Sequence, residues 1–298
     1  MRVYVALMIA IGLSVGGFVL LRTGTYGWTM FLLHPFFTGA LAAWAFRPKT
    51  AGGAAGAGAL SVCFTTLALL LFGWEGGICI LMCLPIALPC GVLGGWLIYD
   101  LERGRRTRRG VAMFLMLPPF TVAYDVKAPP PVFEVHSQVV VHAAPEQVWQ
   151  RVLSFSELPE PTELIFRAGV AYPIRAHLDG AGPGAVRYCE FSTGPFVEPI
   201  VIWDEPRLLR FRVTENPAPM QEWSPFGNIV TKHLHGYLVS KQGQFRLTAL
   251  PGGQTLLEGT TWYQHGLWPA EYWRWWSDAI IHRIHLRVLN QIRVLSES

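Results

Sequence analysis

Val132-Phe133-Glu134-Val135-His136-Ser137-Gln138-Val139-Val140-Val141-His142-Ala143-Ala144-Pro145-Glu146-Gln147-Val148-Trp149 is the stretch on which the fold turns. Phe133, Val135, Ser137, Val139 and Val141 alternate with Glu134, His136 and Gln138, the period of a strand with one buried face. The strand runs straight toward Pro145, which suits the first turn of a helix because its missing N–H would have no partner there. Val148, Trp149, Val152 and Leu153 then form one apolar stripe. On the N-terminal side, Pro129-Pro130-Pro131 makes a stiff spacer over 126–131 and marks a boundary between 1–125 and 132–298.

Downstream of Leu158-Pro159-Glu160-Pro161 the pattern changes to strands with glycine-rich joints: Arg175–Leu178, Gly184–Ser192, Glu198–Asp204, Arg207–Thr214, Tyr237–Leu250 and Gln254–Tyr263. Pro251-Gly252-Gly253 joins the last two as a hairpin. From Pro269 to Leu295 one long amphipathic helix carries Trp273, Ile281, Ile284, Val288 and Ile292 on one side, with Arg283, Arg287 and Asn290 opposite. The order is strand, helices, six strands, long helix.

That order, with the phrase Val141–Trp149 and the later Trp203-Asp204-Glu205-Pro206-Arg207-Leu208-Leu209-Arg210-Phe211, resembles the START-like (SRPBCC) superfamily of polyketide cyclases and lipid-transfer proteins. The resemblance covers 132–298 and implies a helix-grip fold. In such a fold a curved antiparallel sheet wraps a long C-terminal helix, and an apolar ligand sits between them.

The first half is a different material. The chain as a whole is 51% hydrophobic and 15% charged, too apolar for two ordinary soluble domains, and the charges are concentrated after residue 100. Val3–Leu21, flanked by Arg2 and Arg22, supplies roughly 19 apolar residues, enough at about 1.5 Å each to cross a hydrocarbon core. Trp28–Phe46, Ala55–Trp74 and Ile78–Tyr99 follow, the last two turned back on each other at Glu75-Gly76-Gly77. A fifth, shorter candidate spans 110–124 and contains Pro118-Pro119. The expected architecture is an α-helical transmembrane bundle of four to five spans followed by an α+β helix-grip domain.

Arg2, then Arg47 and Lys49, then the run Arg103–Arg109 fall on alternate loops, which predicts a cytoplasmic N-terminus in a multi-pass inner-membrane protein. With five crossings the C-terminal domain lies outside the cytoplasm. The net charge of +4 is local to that arginine run, so nucleic acid is not an expected partner. No Asp, Glu or Lys interrupts the four spans, which argues against an ion or proton transporter. Cys189 stands alone in the second half, where no disulfide can form; Cys63, Cys79, Cys83 and Cys90 lie in the first.

Asp278, His282 and His285 recur at offsets of four and three on the long helix, one polar stripe bordering its apolar face. His233 and His235 sit two apart, so an extended backbone would point them the same way. His233, His235, His282 and His285 are the candidate metal ligands, although satisfied structural histidines explain the same pattern and no cofactor is expected. Trp262, Trp273 and other aromatics crowd the passage from the last strand into the helix. Asn216–Lys232 is a proline-stiffened loop with Trp223 and Phe226. These residues define the expected ligand site: Trp223 and Phe226 at the mouth, Trp262, Trp273 and Ile281 along the wall, and Asp278, His282 and His285 for a polar head group. The expected partner is a membrane lipid or another hydrophobic small molecule. The alternatives are an enzyme working through the His282/His285 stripe, and a ligand sensor or assembly module. No nucleophile elbow, phosphate-binding glycine loop or dinucleotide fingerprint is present in a fitting context.

Overall fold

The computed structural model describes residues 2–104, 117–227, 229 and 231–298. They form two units: Met1–Pro129 with Glu222–His233 and Leu267–Pro269, and Pro130–Gln221 with Leu234–Gly266 and Ala270–Ser298.

The first unit contains α1 (Arg2–Thr23), α2 (His34–Phe46) led in by one π-helical turn (Thr29–Leu33), α3 (Ala51–Leu71), α4 (Gly77–Glu102) and α5 (Leu117–Lys127). Among the described residues four helices are long and apolar enough to cross a membrane: Tyr4–Thr23, Thr29–Phe46, Ala51–Leu71 and Gly77–Glu102. Of the fifth candidate, 110–116 lies outside the described residues, as do Arg105, Arg106, Arg108 and Arg109; 117–124 belongs to α5. Asp125 in α5 accepts hydrogen bonds from the backbone N–H groups of Trp28 and Thr29, at 3.0 Å each, and so caps the start of the second span.

Glycine sets the distances between these helices. A Cβ on Gly39 or Gly58 would lie 2.2 or 2.1 Å from the Gly91 carbonyl oxygen, and one on Gly94 would lie 2.0 Å from that of Phe36. Backbones of α2 and α3 therefore rest directly on α4, the small-residue packing that membrane helices use in place of a hydrophobic driving force. Of the glycines at the start of α3, Gly58 makes this approach, whereas Gly52 and Gly56 face open space.

In the second unit β1 (Val132–Val141) is followed by α6 (Pro145–Leu153) and the short α7 (Leu164–Arg167). Then come β2 (Pro173–Asp179), β3 (Val186–Phe191), β4 (Gly194–Asp204), β5 (Leu208–Arg212), β6 (Leu238–Leu250), β7 (Gln254–His265) and α8 (Ala270–Glu297). The seven strands form one antiparallel sheet in the order β1-β7-β6-β5-β4-β3-β2. The chain thus runs along the sheet from β2 to β7 through neighbouring antiparallel strands, by short turns except for the long connection 213–237 between β5 and β6, and β1 closes on β7. This curled sheet with α8 laid against it is the helix-grip fold.

Alternation explains which side chains meet. Phe133, Val135, Ser137 and Val141 of β1 are buried, and α6 buries Val148, Trp149, Val152 and Leu153. The main core joins Val141 and the α6 residues to Leu209, Leu247 and Leu257 of the sheet and to Val288, Leu289 and Ile292 of α8, while Phe133 and Val135 pack in a second cluster with Tyr263 and Ile281. At the β6–β7 hairpin, Gly252 and Gly253 take φ of 81° and 73°, the left-handed region that a side chain would strain. All five cysteines are free, and Cys189 is buried.

Candidate functional site

Between the sheet and α8 the second unit holds a partly open cavity of about 130 Å³, similar in volume to the roughly 150 Å³ apolar voids that accept a benzene-sized guest. Its walls are mostly apolar: Phe191, Phe196, Phe211 and Phe245 from the strands, Ile281 and Val288 from α8.

Two charges interrupt these walls. The strand period places Ala185, Arg187 and Cys189 on the inward face of β3, and register sets Arg187 directly opposite Glu198 of β4. Arg187 Nη1 donates to Glu198 Oε2. Both side chains are nearly inaccessible, 2% and 8% exposed. Burial, the largest single influence, works against the guanidinium charge, but Glu198 and Cys189 together offset it and the pKa of Arg187 is raised; burial raises that of Glu198, opposed by Arg187. The guanidinium carbon lies 5.4, 5.6 and 5.8 Å from the ring centres of Phe245, Phe155 and Phe211, within cation–π range. Arg187 Nε and Nη2 have no hydrogen-bond partner. A buried donor left unpaired costs about 1–3 kcal/mol, and an acceptor placed in the cavity would recover it. Beside the pair, burial pushes the Cys189 thiol up to about 12, so it is a weak nucleophile.

Gln244 is one position out of phase with the inward Phe245, and its side chain is held on the other sheet face by Arg210, whose Nε and Nη2 donate to Gln244 Oε1 at 3.0 and 2.7 Å. His285 closes the α8 side. Its Nδ1 lies 3.0 Å from Ser137 Oγ and its Nε2 2.8 Å from Thr261 Oγ1, so both ring nitrogens are engaged. Burial, with smaller contributions from His282 and His136, lowers its pKa to about 3. The ring is thus held neutral between two hydroxyls, one nitrogen donating and the other accepting.

Of the site residues expected from sequence, Ile281 and His285 line the cavity. The others are placed elsewhere, each for a physical reason. Trp262 sits one position out of phase with Thr261 and Tyr263, so it projects from the opposite sheet face; its Nε1 donates to Glu134 at 2.8 Å and Arg210 covers its ring. Trp273 is buried at 3% exposure but is not a lining residue, because α8 carries it past the cavity's end. Asp278 accepts from Tyr263 at 2.5 Å and pairs with Arg274 at 3.2 Å, so it does not meet the histidines. His282 is exposed and reaches Ser137 Oγ at 2.7 Å. Trp223 and Phe226 belong to the first unit and are 61% and 64% exposed. His233 is buried within that unit, while His235 is exposed, so the four histidines do not form one ligand set. Arg187 and Glu198 were not anticipated. The available signal was a charged residue at the centre of each strand, in phase with that strand's inward side chains.

A larger void, about 410 Å³, lies among the helices of the first unit, and among the described residues no Asp, Glu, Lys or Arg lines it.

No protein-family model matches the chain. No curated protein matches it either. Among solved structures, norcoclaurine synthase from Thalictrum flavum aligns at 11% identity over 57% of this chain and 96% of its own, with a TM-score of 0.36. The ZhuI aromatase/cyclase of Streptomyces sp. R1128 aligns at 18% identity over 56% and 94%, also at 0.36. An uncharacterized protein from Bacillus thuringiensis aligns at 13% identity over 56% and 100%, at 0.37. At such identities the likeness concerns fold alone.

Proposed function

We propose that the helix-grip unit binds a small hydrophobic molecule bearing one hydrogen-bond acceptor, a lipid fragment or an aromatic carbonyl or acid, and that the apolar helices hold this unit beside a bilayer. The observation that carries the reading is the buried Arg187 guanidinium, with two unpaired N–H groups in an otherwise apolar cavity. An acceptor on the ligand would satisfy them, while Phe211, Phe245 and Ile281 would surround the apolar remainder. Tethering supplies the ligand at high effective concentration, because a molecule dissolved in the membrane need not cross water to reach the site. The arginine alternation favours an inner-membrane protein with its C-terminal domain outside the cytoplasm. Labelling of a single cysteine placed at Gly180, in a chain otherwise free of cysteine, should then occur from outside; labelling only from the cytoplasmic side would exclude that orientation.

The test of binding is native mass spectrometry of the detergent-purified chain, read for a co-purifying molecule. Arg187→Met alone would leave Glu198 buried and unpaired, a loss of about 3–5 kcal/mol in stability. The double variant Arg187→Met with Glu198→Leu avoids that penalty. It should fold and bind the co-purifying molecule about 10- to 150-fold more weakly, the worth of one charged hydrogen bond, roughly 1.5–3 kcal/mol. A wild-type chain that carries nothing, or a double variant with undiminished affinity, defeats the proposal.

A further inference from the structure

The turn between α3 and α4 and the segment Glu222–His233 build a second polar centre, inside the first unit. Gly76 and Gly77 make room for it. A Cβ on Gly76 would lie 2.0 Å from Glu222 Oε2, and one on Gly77 would lie 2.6 Å from the Trp223 ring. Glu222 thereby reaches the first turn of α4, where Oε2 accepts from the Ile78 N–H at 3.0 Å and Oε1 from the Cys79 N–H at 3.1 Å. Gly77 N–H donates to the Trp223 carbonyl at 2.8 Å and anchors the segment.

His233 enters from the other end of the same segment. Its Nε2 lies 2.7 Å from Cys79 Sγ and 3.8 Å from Glu222 Oε1. On the far side of the ring, Nδ1 faces Glu75 Oε2 at 3.4 Å, and Tyr26 donates to Glu75 Oε1 at 3.0 Å. Glu75, Glu222 and His233 are only 5%, 4% and 7% exposed. A thiol, an imidazole and a carboxylate thus present ligand atoms that all lie within 4.8 Å of one another.

The charges of this centre are one-sided. Two buried carboxylates and a thiol face a single imidazole, and no Lys or Arg pairs with either carboxylate among the described residues. Buried anions are costly unless a cation meets them. We infer that Cys79 Sγ, His233 Nε2 and Glu222 Oε1 bind a divalent transition metal of the zinc class, with Glu75 orienting the imidazole from behind.

The ligand chemistry selects the metal. Magnesium and calcium take oxygen donors, whereas a mixed sulfur, nitrogen and oxygen set suits zinc and its spectroscopic substitute cobalt. Bonds of about 2.0–2.3 Å in a tetrahedron place ligand atoms roughly 3.3–3.8 Å apart. The His233–Glu222 separation of 3.8 Å meets that range, and rotation about the Cys79 Cα–Cβ bond opens the closer sulfur–nitrogen pair. As the sulfur–metal bond forms, the thiol proton passes to bulk water; thiolate and Glu222 carboxylate then balance the two positive charges of the ion. A carboxylate behind a metal-bound imidazole fixes its tautomer when Nδ1 donates to it; Glu75 Oε2 stands 3.4 Å from His233 Nδ1, within ion-pair range but without a hydrogen bond. Three protein ligands leave a fourth position for water or an outside ligand.

The full chain, purified in detergent without a polyhistidine tag, should carry about one equivalent of zinc by elemental analysis. After chelation, added cobalt should give a thiolate-to-cobalt charge-transfer band, and added zinc should restore the thermal midpoint lowered by the chelator. Cys79→Ser and Glu222→Gln should each reduce metal content at least about tenfold, while His235→Ala keeps it. The cobalt titration of the unaltered chain stands even if a variant fails to fold. Absence of both zinc and the cobalt band in that chain overturns the inference, and so does a metal complement retained by well-folded Cys79→Ser.

Discussion

His285 carries the clearest pH signature of any single residue in the helix-grip unit. Its pKa is lowered to about 3 in the fold, against about 6.5 for an unfolded histidine. Between those values the unfolded chain binds a proton that the folded chain refuses, so stability falls as pH drops below about 6.5. At about 1.4 kcal/mol per unit, acidification to pH 5 should cost roughly 2 kcal/mol from this ring alone. Denaturant titrations at pH 7 and 5 measure the loss, and His285→Gln should shrink it by about that amount. An unchanged slope would mean that other groups set the acid sensitivity. Arg187 belongs to the same scale but differs in kind, since its charge is held by Glu198 while its Nε and Nη2 make no hydrogen bond.

Among the elements, α4 has the least latitude. Its Gly91 receives α2 through Gly39 and α3 through Gly58, and a Cβ on Gly91 would meet Val62 Cγ2 at 2.5 Å and the Gly58 carbonyl oxygen at 2.8 Å. Gly91→Val should therefore force the helices apart and destabilise the first unit by about 1–3 kcal/mol or more. Gly56→Val faces open space in α3 and serves as the matched control. Thermal melts in detergent, followed by helical circular dichroism, separate the two; equal midpoints would refute the packing assignment. In α8 the constraint is register along the helix. Ile281, His285, Val288 and Leu289 reach the cavity, whereas Asp278 is drawn off to Tyr263 and Arg274.

At the scale of the whole molecule, the division into units cuts across the sequence. Every strand and both helices of the main core lie in the second unit, but Glu222–His233 and Leu267–Pro269 belong to the first. A fragment beginning at Val132 should melt cooperatively, because it retains the sheet, α6 and α8. Its residues 222–233 would lack the partners that α4 supplies, namely the N–H groups of Gly77, Ile78 and Cys79. Limited proteolysis should cleave the fragment in 222–233 well before the full chain is cut there. A broad melt, or equal cleavage in both, would contradict this division of labour.

Local patterns determined much of this protein. Alternation in Val132–Val141, Pro145 at a helix start, the Pro251-Gly252-Gly253 hairpin and the four apolar runs each act over a few neighbouring residues, and all are legible without coordinates. The long helix and all seven strands were legible for the same reason, because burial on one side imposes a period on the residues themselves. Tertiary structure alone decided which polar groups meet. The pairing of Arg187 with Glu198 depends on β3–β4 register. Trp262 left the expected wall because one residue of phase decides a sheet face. Cys79 and His233 are 154 positions apart and come together only when a distant loop reaches the N-terminus of α4. Sequence periodicity carries no information about such separations, since the contacts arise from packing between elements rather than from the propensity of any one of them.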